Sequence, residues 1–364
     1  MFEFMANCGC SPGRGAYDCA LHAARQVYAA RCTCRDFFGA ADPACAVFVP
    51  GATFGLNAAL QGLLLPGDHV LVSSLEHNAV MRPLQALEKQ RGIEVSVVEE
   101  SPVDAVGVRS WEEAMRPNTR MIAASHASNV IGICRDLSVL GDLAVEHGLW
   151  FVVDAAQTAG LYDINVSTVH IDALAFSGHK ALMGPPGIGG LIVSPRAGTA
   201  MVPLVYGGTG SQSETESQPE FLPDRLESGT MNTPGIVGLA AGIDYVSAIS
   251  PTRIRQHIHS LSHRFIAGVE QIPGIVSIQS CLTPTAVVSV VPQVLGPSEL
   301  AYELDAQYGV MVRSGLHCAP AAHRFLGTFP AGTVRFSFGW FNTDSDVDYT
   351  LEALAALASS LPGE

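Results

Sequence analysis

The chain has 364 residues, 48% hydrophobic and only 15% charged, so it can meet the entropy cost of ordering and is not a disordered polypeptide. Its length exceeds one typical core and points to two domains. A formal net charge of −14, from 20 basic and 34 acidic residues, excludes the basic footprint of a nucleic-acid binder. The most apolar stretches, 46–65 and 187–206, are broken by Pro, Gly, Asn, Gln or Arg before reaching the about 20 residues of a membrane span. The opening MFEFMANCGC has no basic segment followed by an apolar run, so no signal peptide is expected, and a cytoplasmic protein is.

From about residue 47 short β-type runs alternate with helical patterns. The runs are AVFVP (46–50), HVLVSS (69–74), IEVSVVE (93–99), RMIAAS (120–125), LWFVVD (149–154), DALAFS (172–177) and GIGGLIVS (187–194). Between them lie helical patterns at 55–64, 79–90 and 137–148. Near-continuous apolar strands alternating with helices predict a mostly parallel, seven-stranded sheet covered on both faces, a three-layer α/β/α domain. The polar, Gly-rich stretch 207–230 has no period and is long for a loop, which marks it as functional or interfacial. Beyond about residue 245 the pattern changes to a helix (251–271), strands (275–291), a helix (298–308) and a closing strand and helix (333–358), a smaller α+β unit. The expected division is an arm over 1–15, a large domain over 16–245 and a small domain over 246–364.

In an open parallel sheet, ligands bind at the carboxyl ends of the strands. There the sequence delivers Thr53 in GATFG, His77 in LEHN, Asn129 in HASNV, Asp154 and Gln157 in DAAQTAG, and Ser177, His179 and Lys180 in SGHK. Lys180 is one of only two lysines, and Lys89, the other, sits at the polar end of an amphipathic helix. The set suits pyridoxal phosphate. A small turn opening a helix can bind phosphate, a lysine can join the aldehyde, and an aspartate can keep the pyridine nitrogen protonated. A histidine can stack on the ring, and an Asn or Gln can bond its hydroxyl. The run GPPGIGG (184–190) is not a phosphate-binding P-loop, because no GK[ST] follows it; it reads as a turn closing beneath the lysine.

Six of the nine cysteines fall in the first 45 residues. An odd count without a secretion signal argues against a disulfide framework. The pairs Cys8/Cys10 and Cys32/Cys34 have C-x-C rather than zinc-type spacing, and no metal site is expected.

The motifs EHNAVMRPL (76–84), HASNVIG (126–132), VDAAQTAG (153–160), FSGHK (176–180), ESGTMNTPGI (227–236), RSGLHCAP (313–320) and VRFSFGWFNT (334–343) cover nearly the whole chain. Together they resemble the cysteine desulfurase and selenocysteine lyase family, within the fold-type-I, class V aminotransferase group. The resemblance implies that Lys180 holds the cofactor aldehyde, Asp154 its pyridine nitrogen and Gln157 its ring hydroxyl, with His77 stacked on the ring. It implies phosphate binding by Thr53, Ser177 and His179, with Thr230 reaching the neighbouring subunit's phosphate in a homodimer. It further implies that Asn129 and Arg335 hold the substrate carboxylate and that Cys318 is the nucleophile. Arg313, His317 and His323 are the sequence-local candidates to activate that thiol. The activity implied is conversion of L-cysteine to L-alanine, with the sulfur held as a persulfide for a protein acceptor.

Members of that family carry a segment of the type Leu-Asp-Asn-Ala-Ala-Thr-Thr before the PGRG turn, whereas only MFEFMANCGCS precedes PGRG (12–15) here. The arm therefore reads as truncated, with cofactor binding retained and substrate positioning at risk. The alternatives are a selenocysteine lyase and a cofactor-binding but inactive, regulatory subunit.

Overall fold

The computed structural model describes residues 1–13, 15–99, 108–278 and 285–359. Arg14 of the PGRG turn, Cys281 and part of the strand stretch 275–291 lie outside the described residues. The strands of the first sheet are β1 (Ala46–Val49), β2 (His69–Ser73), β3 (Glu94–Val98), β4 (Thr119–Ser125), β5 (Trp150–Asp154), β6 (Ala173–Ser177) and β7 (Gly189–Val193). They lie within a residue or so of the runs read from the sequence. Their order is β1-β7-β6-β5-β4-β2-β3. The pairs β2–β3, β2–β4, β4–β5 and β5–β6 are parallel, and β7 runs antiparallel to both β6 and β1.

Helices α1 (Phe2–Asn7), α2 (Asp18–Phe38), α3 (Ala52–Leu63), α4 (Asn78–Arg91), α5 (Val108–Glu113), α6 (Leu137–Glu146), α7 (Pro195–Ala200) and α8 (Thr233–Ile249) accompany this sheet. Because successive strand side chains point to opposite faces, the sheet builds two cores. Phe48, Phe151, Val153 and Phe176 face α2, α6 and α8, where they meet Phe38, Leu140 and Leu239. Val47, Val49, Val152 and Ala175 face α3 and α4, where they meet Leu56, Leu60 and Leu84. The three-layer α/β/α arrangement follows.

The chain continues through α9 (Pro251–Val269), β8 (Ile275–Ser277), β9 (Val287–Pro292), α10 (Pro297–Tyr308), β10 (Arg313–Gly315), α11 (Pro320–Phe325), β11 (Thr333–Ser337) and α12 (Asp344–Ser359). A second, antiparallel sheet has the order β10-β11-β9-β8. It shares a core with α9, α10 and α12 built on Phe265, Val288, Leu304, Phe336 and Leu354.

The run GPPGIGG serves close packing. A Cβ on Gly190 would sit 2.4 Å from the Phe176 ring, and one on Gly189 would sit 2.3 Å from the Phe176 carbonyl and 2.8 Å from Gly51 Cα. Glycine there lets β7 press against β6 and against the turn opening α3, the two segments that carry Ser177 and Thr53. Phe176, fully buried with its ring 4.7 Å from that of Phe38, anchors β6 just before Ser177 and Lys180. Phe176→Ala is expected to cost about 3–5 kcal/mol, the range for a buried aromatic truncated in a core; denaturant unfolding of the cofactor-free protein measures it.

Candidate active site

Five strand ends of the first sheet open on one cleft, lined by Ala52, Thr53, His77, Asn129, Asp154, Gln157, Ser177 and Lys180 among others. Each is put there by its element. Helix α3 begins at Gly51, which offers no side-chain cap; Ala52 N–H donates to Ser177 Oγ at 3.1 Å and Phe54 N–H to the Gly51 carbonyl at 3.0 Å, which leaves the Thr53 N–H between them open. A Cβ on Gly51 would approach Ser177 Oγ to 3.4 Å, so the glycine leaves a cradle at the positive end of the helix dipole. Thr53 borders this cleft and also a neighbouring hollow shared with Ser177 and His179.

His77 caps α4, its Nδ1 accepting the Ala79 N–H at 3.0 Å, which leaves the remaining ring proton on Nε2. Burial lowers its pKa, against the opposing pull of Asp154. Asp154 ends β5, is buried, and accepts the Ala156 N–H at 2.9 Å with Oδ1. Lys180 is reached by solvent through the cleft mouth, yet protein crowds its amine. The lost hydration depresses its pKa, with the Asp154 charge opposing and the Arg335 and Arg313 charges reinforcing. A lysine poised this way loses its proton more readily than a surface one.

The second sheet brings two arginines whose charges act on Lys180 and His77. Arg313 on β10 and Arg335 on β11 are directly opposed cross-strand partners. Like charges in that position repel, and burial together with the Arg313 charge lowers the Arg335 pKa. Arg335 Nη1 donates to the Asn129 carbonyl at 3.0 Å, while Asn129 Nδ2 donates to the His317 carbonyl at 2.6 Å. Arg335 Nε and Asn129 Oδ1 are among the six buried side-chain polar atoms of the described residues that have no hydrogen-bond partner. The free Arg335 Nε–H donor fits a small anionic ligand, whereas Asn129 Oδ1 can only accept.

The cysteine loop is strained toward the same place. His317 and Cys318 adopt φ of +47° and +59°, left-handed values that non-glycine residues rarely take. The Asn129 bond to His317 and the Asn78 N–H donating to the Cys318 carbonyl at 2.7 Å hold them there. The exposed Cys318 Sγ then lies 3.2 Å from Arg313 Nη2. Of the three candidate activators, only Arg313 bonds the thiol. His317 Nε2 pairs instead with Thr333 Oγ1 at 2.9 Å, and His323 Nδ1 with Thr328 Oγ1 at 2.7 Å.

Thr230 is not brought to this cleft; it lines a separate cavity of about 710 Å³ with Tyr17, Tyr28, Arg31 and Glu227. Sequence reasoning assigned no role to Glu76, Ser125 or Arg135, which form a buried network directly behind His77. The only signal for it was a carboxylate three residues past the end of β2, beside the chosen histidine. Among the described residues no group of three or more His, Cys, Asp or Glu could hold a metal ion, and no helix is long and apolar enough to cross a membrane.

The family model described as Aminotransferase class-V matches residues 1–350. A probable cysteine desulfurase of Methanothermobacter thermautotrophicus is 32% identical over 98% of this chain and 90% of its own length. An Escherichia coli cysteine desulfurase is 31% identical over 94% of this chain and 84% of its own length. The solved apo cysteine desulfurase of Thermococcus onnurineus superposes with a TM-score of 0.92 at 31% identity, over 99% of this chain and 90% of that one. Fold and cleft thus define a fold-type-I pyridoxal-phosphate enzyme. The chain belongs to the class-V aminotransferase family and, within it, to the cysteine desulfurases.

Burial holds His317 to a pKa of about 3 against an ordinary 6.5. The unfolded chain therefore takes up this proton before the folded one does. This contribution to stability is intact above about pH 6.5 and is lost as pH falls toward about 3. His317→Gln, which can still bond Thr333, is expected to reduce the stability lost between neutral pH and about pH 4, read from denaturant midpoints along the pH series.

Proposed function

We propose that this chain is a pyridoxal-phosphate-dependent cysteine desulfurase that converts L-cysteine to L-alanine and takes the sulfur onto Cys318 as a persulfide. The observation that carries the reading is a strained thiol 3.2 Å from a guanidinium, on a loop bonded to Asn129 of the cleft that holds a depressed lysine amine and a buried aspartate. The cradle at Gly51, the free Arg335 Nε–H donor and the amine–carboxylate pair are the fit of these residues to the cofactor and an amino-acid substrate.

Thr53, through its hydroxyl and the open N–H at the start of α3, would hold the phosphate with Ser177 and His179. Asp154 would keep a proton on the pyridine nitrogen, Gln157 would bond the ring hydroxyl, and His77, neutral with its proton on Nε2, would cover the ring face. Pyridoxal phosphate supplies an electron sink for negative charge at the substrate Cα. Lys180 Nζ would carry the cofactor aldehyde between turnovers; once released, its lowered pKa suits it to take the Cα proton. Arg335 and Asn129 would grip the substrate carboxylate, with Arg313 sharing that charge and favouring the Cys318 thiolate. The thiolate attacks the substrate sulfur, the Cβ–S bond breaks, and its electron pair stays with the carbon skeleton. Protons returned there release alanine, leaving Cys318 as a persulfide for a protein acceptor.

Two copies pairing through the Thr230 cavity would bring Thr230 to the neighbouring copy's phosphate; its distance from its own cleft supports that arrangement. The division at 1–15, 16–245 and 246–364 then separates an arm, the cofactor-binding layer and the unit bearing the thiol. The eight free thiols among the described residues suit a reducing compartment such as the cytoplasm.

Cys318→Ala is expected to abolish alanine formation from L-cysteine while leaving the bound cofactor's absorbance intact; full retention of alanine formation would overturn the role of that residue. Arg335→Lys, losing the planar fork, should raise KM roughly 10- to 100-fold with a smaller change in kcat. Alanine formed from L-selenocysteine alone would move the substrate to the selenium analogue, and none from either would leave a binding-only subunit.

A further inference from the structure

The chain holds a pair of adjacent thiols near its N-terminus, outside the cleft lining. Cys8 and Cys10, both partly accessible, place their Sγ atoms 3.5 Å apart. Gly9 makes this possible with φ of +46°, and a Cβ there would lie 2.9 Å from the Met5 carbonyl. The end of α1 fixes the turn: Cys8 N–H and Gly9 N–H both donate to the Phe4 carbonyl, at 2.9 and 2.8 Å. Cys8 Sγ also donates to the Cys19 carbonyl at 3.2 Å. The other C-x-C pair provides the contrast. Cys32 and Cys34 lie within α2, where residues two apart do not face one another, and burial pushes the Cys34 thiol up to about 12.

We propose that Cys8-Gly9-Cys10 is a redox-active dithiol that cleaves the sulfur–sulfur bond of small persulfides, releasing sulfide and closing to a Cys8–Cys10 disulfide. The gap to be closed is about 1.5 Å, given a disulfide bond of about 2.05 Å, and the loop is short. The Cys8 thiolate attacks the outer sulfur of the persulfide, R–S–SH, forming a Cys8 persulfide and releasing R–SH, with Cys10 as the resolving thiol. The second thiolate then attacks the protein-bound inner sulfur and expels hydrosulfide. In sum, two thiols and R–S–SH give one disulfide, R–SH and hydrogen sulfide. The dithiol loses two electrons and the outer sulfur gains them. The proposal does not depend on the desulfurase reaction, because the persulfide is supplied from outside.

The test uses the full-length protein, pre-reduced and without L-cysteine, exposed to glutathione persulfide, then alkylated and digested with trypsin. Cys8 and Cys10 are the only cysteines of fragment 1–14. That fragment is expected to lose two hydrogens and resist alkylation, with one sulfide released per disulfide formed, equally in the native chain and in Cys318→Ser. Cys10→Ser should stop at a persulfide on Cys8 without this sulfide release. Gly9→Val, which disfavours the left-handed turn, should slow closure about tenfold. A fragment 1–14 that stays fully alkylatable, a Cys8–Cys19 bond instead, or equal sulfide release by Cys10→Ser would each overturn the assignment.

Discussion

One fully buried carboxylate sets the geometry on which the cleft depends. Glu76 follows β2 and accepts from Ser73 Oγ at 2.6 Å, from Ser125 N–H at 3.0 Å and from Ser125 Oγ at 2.6 Å, so it ties the ends of β2 and β4 together. Arg135 stands 3.8 Å from it and donates to Ser73 Oγ at 2.6 Å and to the Ser125 carbonyl. Burial pushes the Glu76 pKa up, and Arg135 and the serines oppose that push. Removing one partner from such a network leaves an uncompensated buried group, which is far costlier than the pair is stabilising. His77 is the next residue, and Ser125 lines the cleft itself. His77 is therefore positioned by the polar network of its neighbour Glu76 and not by its loop alone.

From that base the cleft is assembled by two sheets with opposite roles. The parallel sheet supplies groups at strand ends, where helix dipole, buried carboxylate and crowded amine create a site for an anionic, aromatic cofactor. The antiparallel sheet supplies two arginines in direct register and a cysteine whose backbone is held in a left-handed conformation. Asn129 joins the two, bonding the cysteine loop through its side chain and Arg335 through its carbonyl. Repulsion between the arginines and strain in the loop are local costs that a carboxylate substrate and a nucleophilic thiol would justify.

Much of this was legible in the sequence, for physical reasons that can be named. The strands of the first sheet are buried on both faces, so they appear as apolar runs, and their polar endings pointed to Thr53, His77, Asp154, Ser177 and Lys180 as neighbours. Motif resemblance supplied Cys318, Arg335 and Arg313, which periodicity alone could not join to a sheet more than a hundred residues away. What stayed hidden depends on contacts distant in sequence. The Glu76–Arg135 network, the Arg313–Arg335 register and the choice of Arg313 over the histidines as the thiol's neighbour all require the fold. The glycine run after Lys180 was read as a turn, and its larger role is close packing of β7 on β6 and Gly51.

The central claim is that Cys318 takes the substrate sulfur directly. Its most direct test is a single turnover with L-cysteine on the cofactor-loaded protein without reductant, followed by mass analysis of the Cys318 peptide. The account predicts one added sulfur on Cys318 for each alanine formed. Alanine or pyruvate appearing with that peptide unmodified would contradict it.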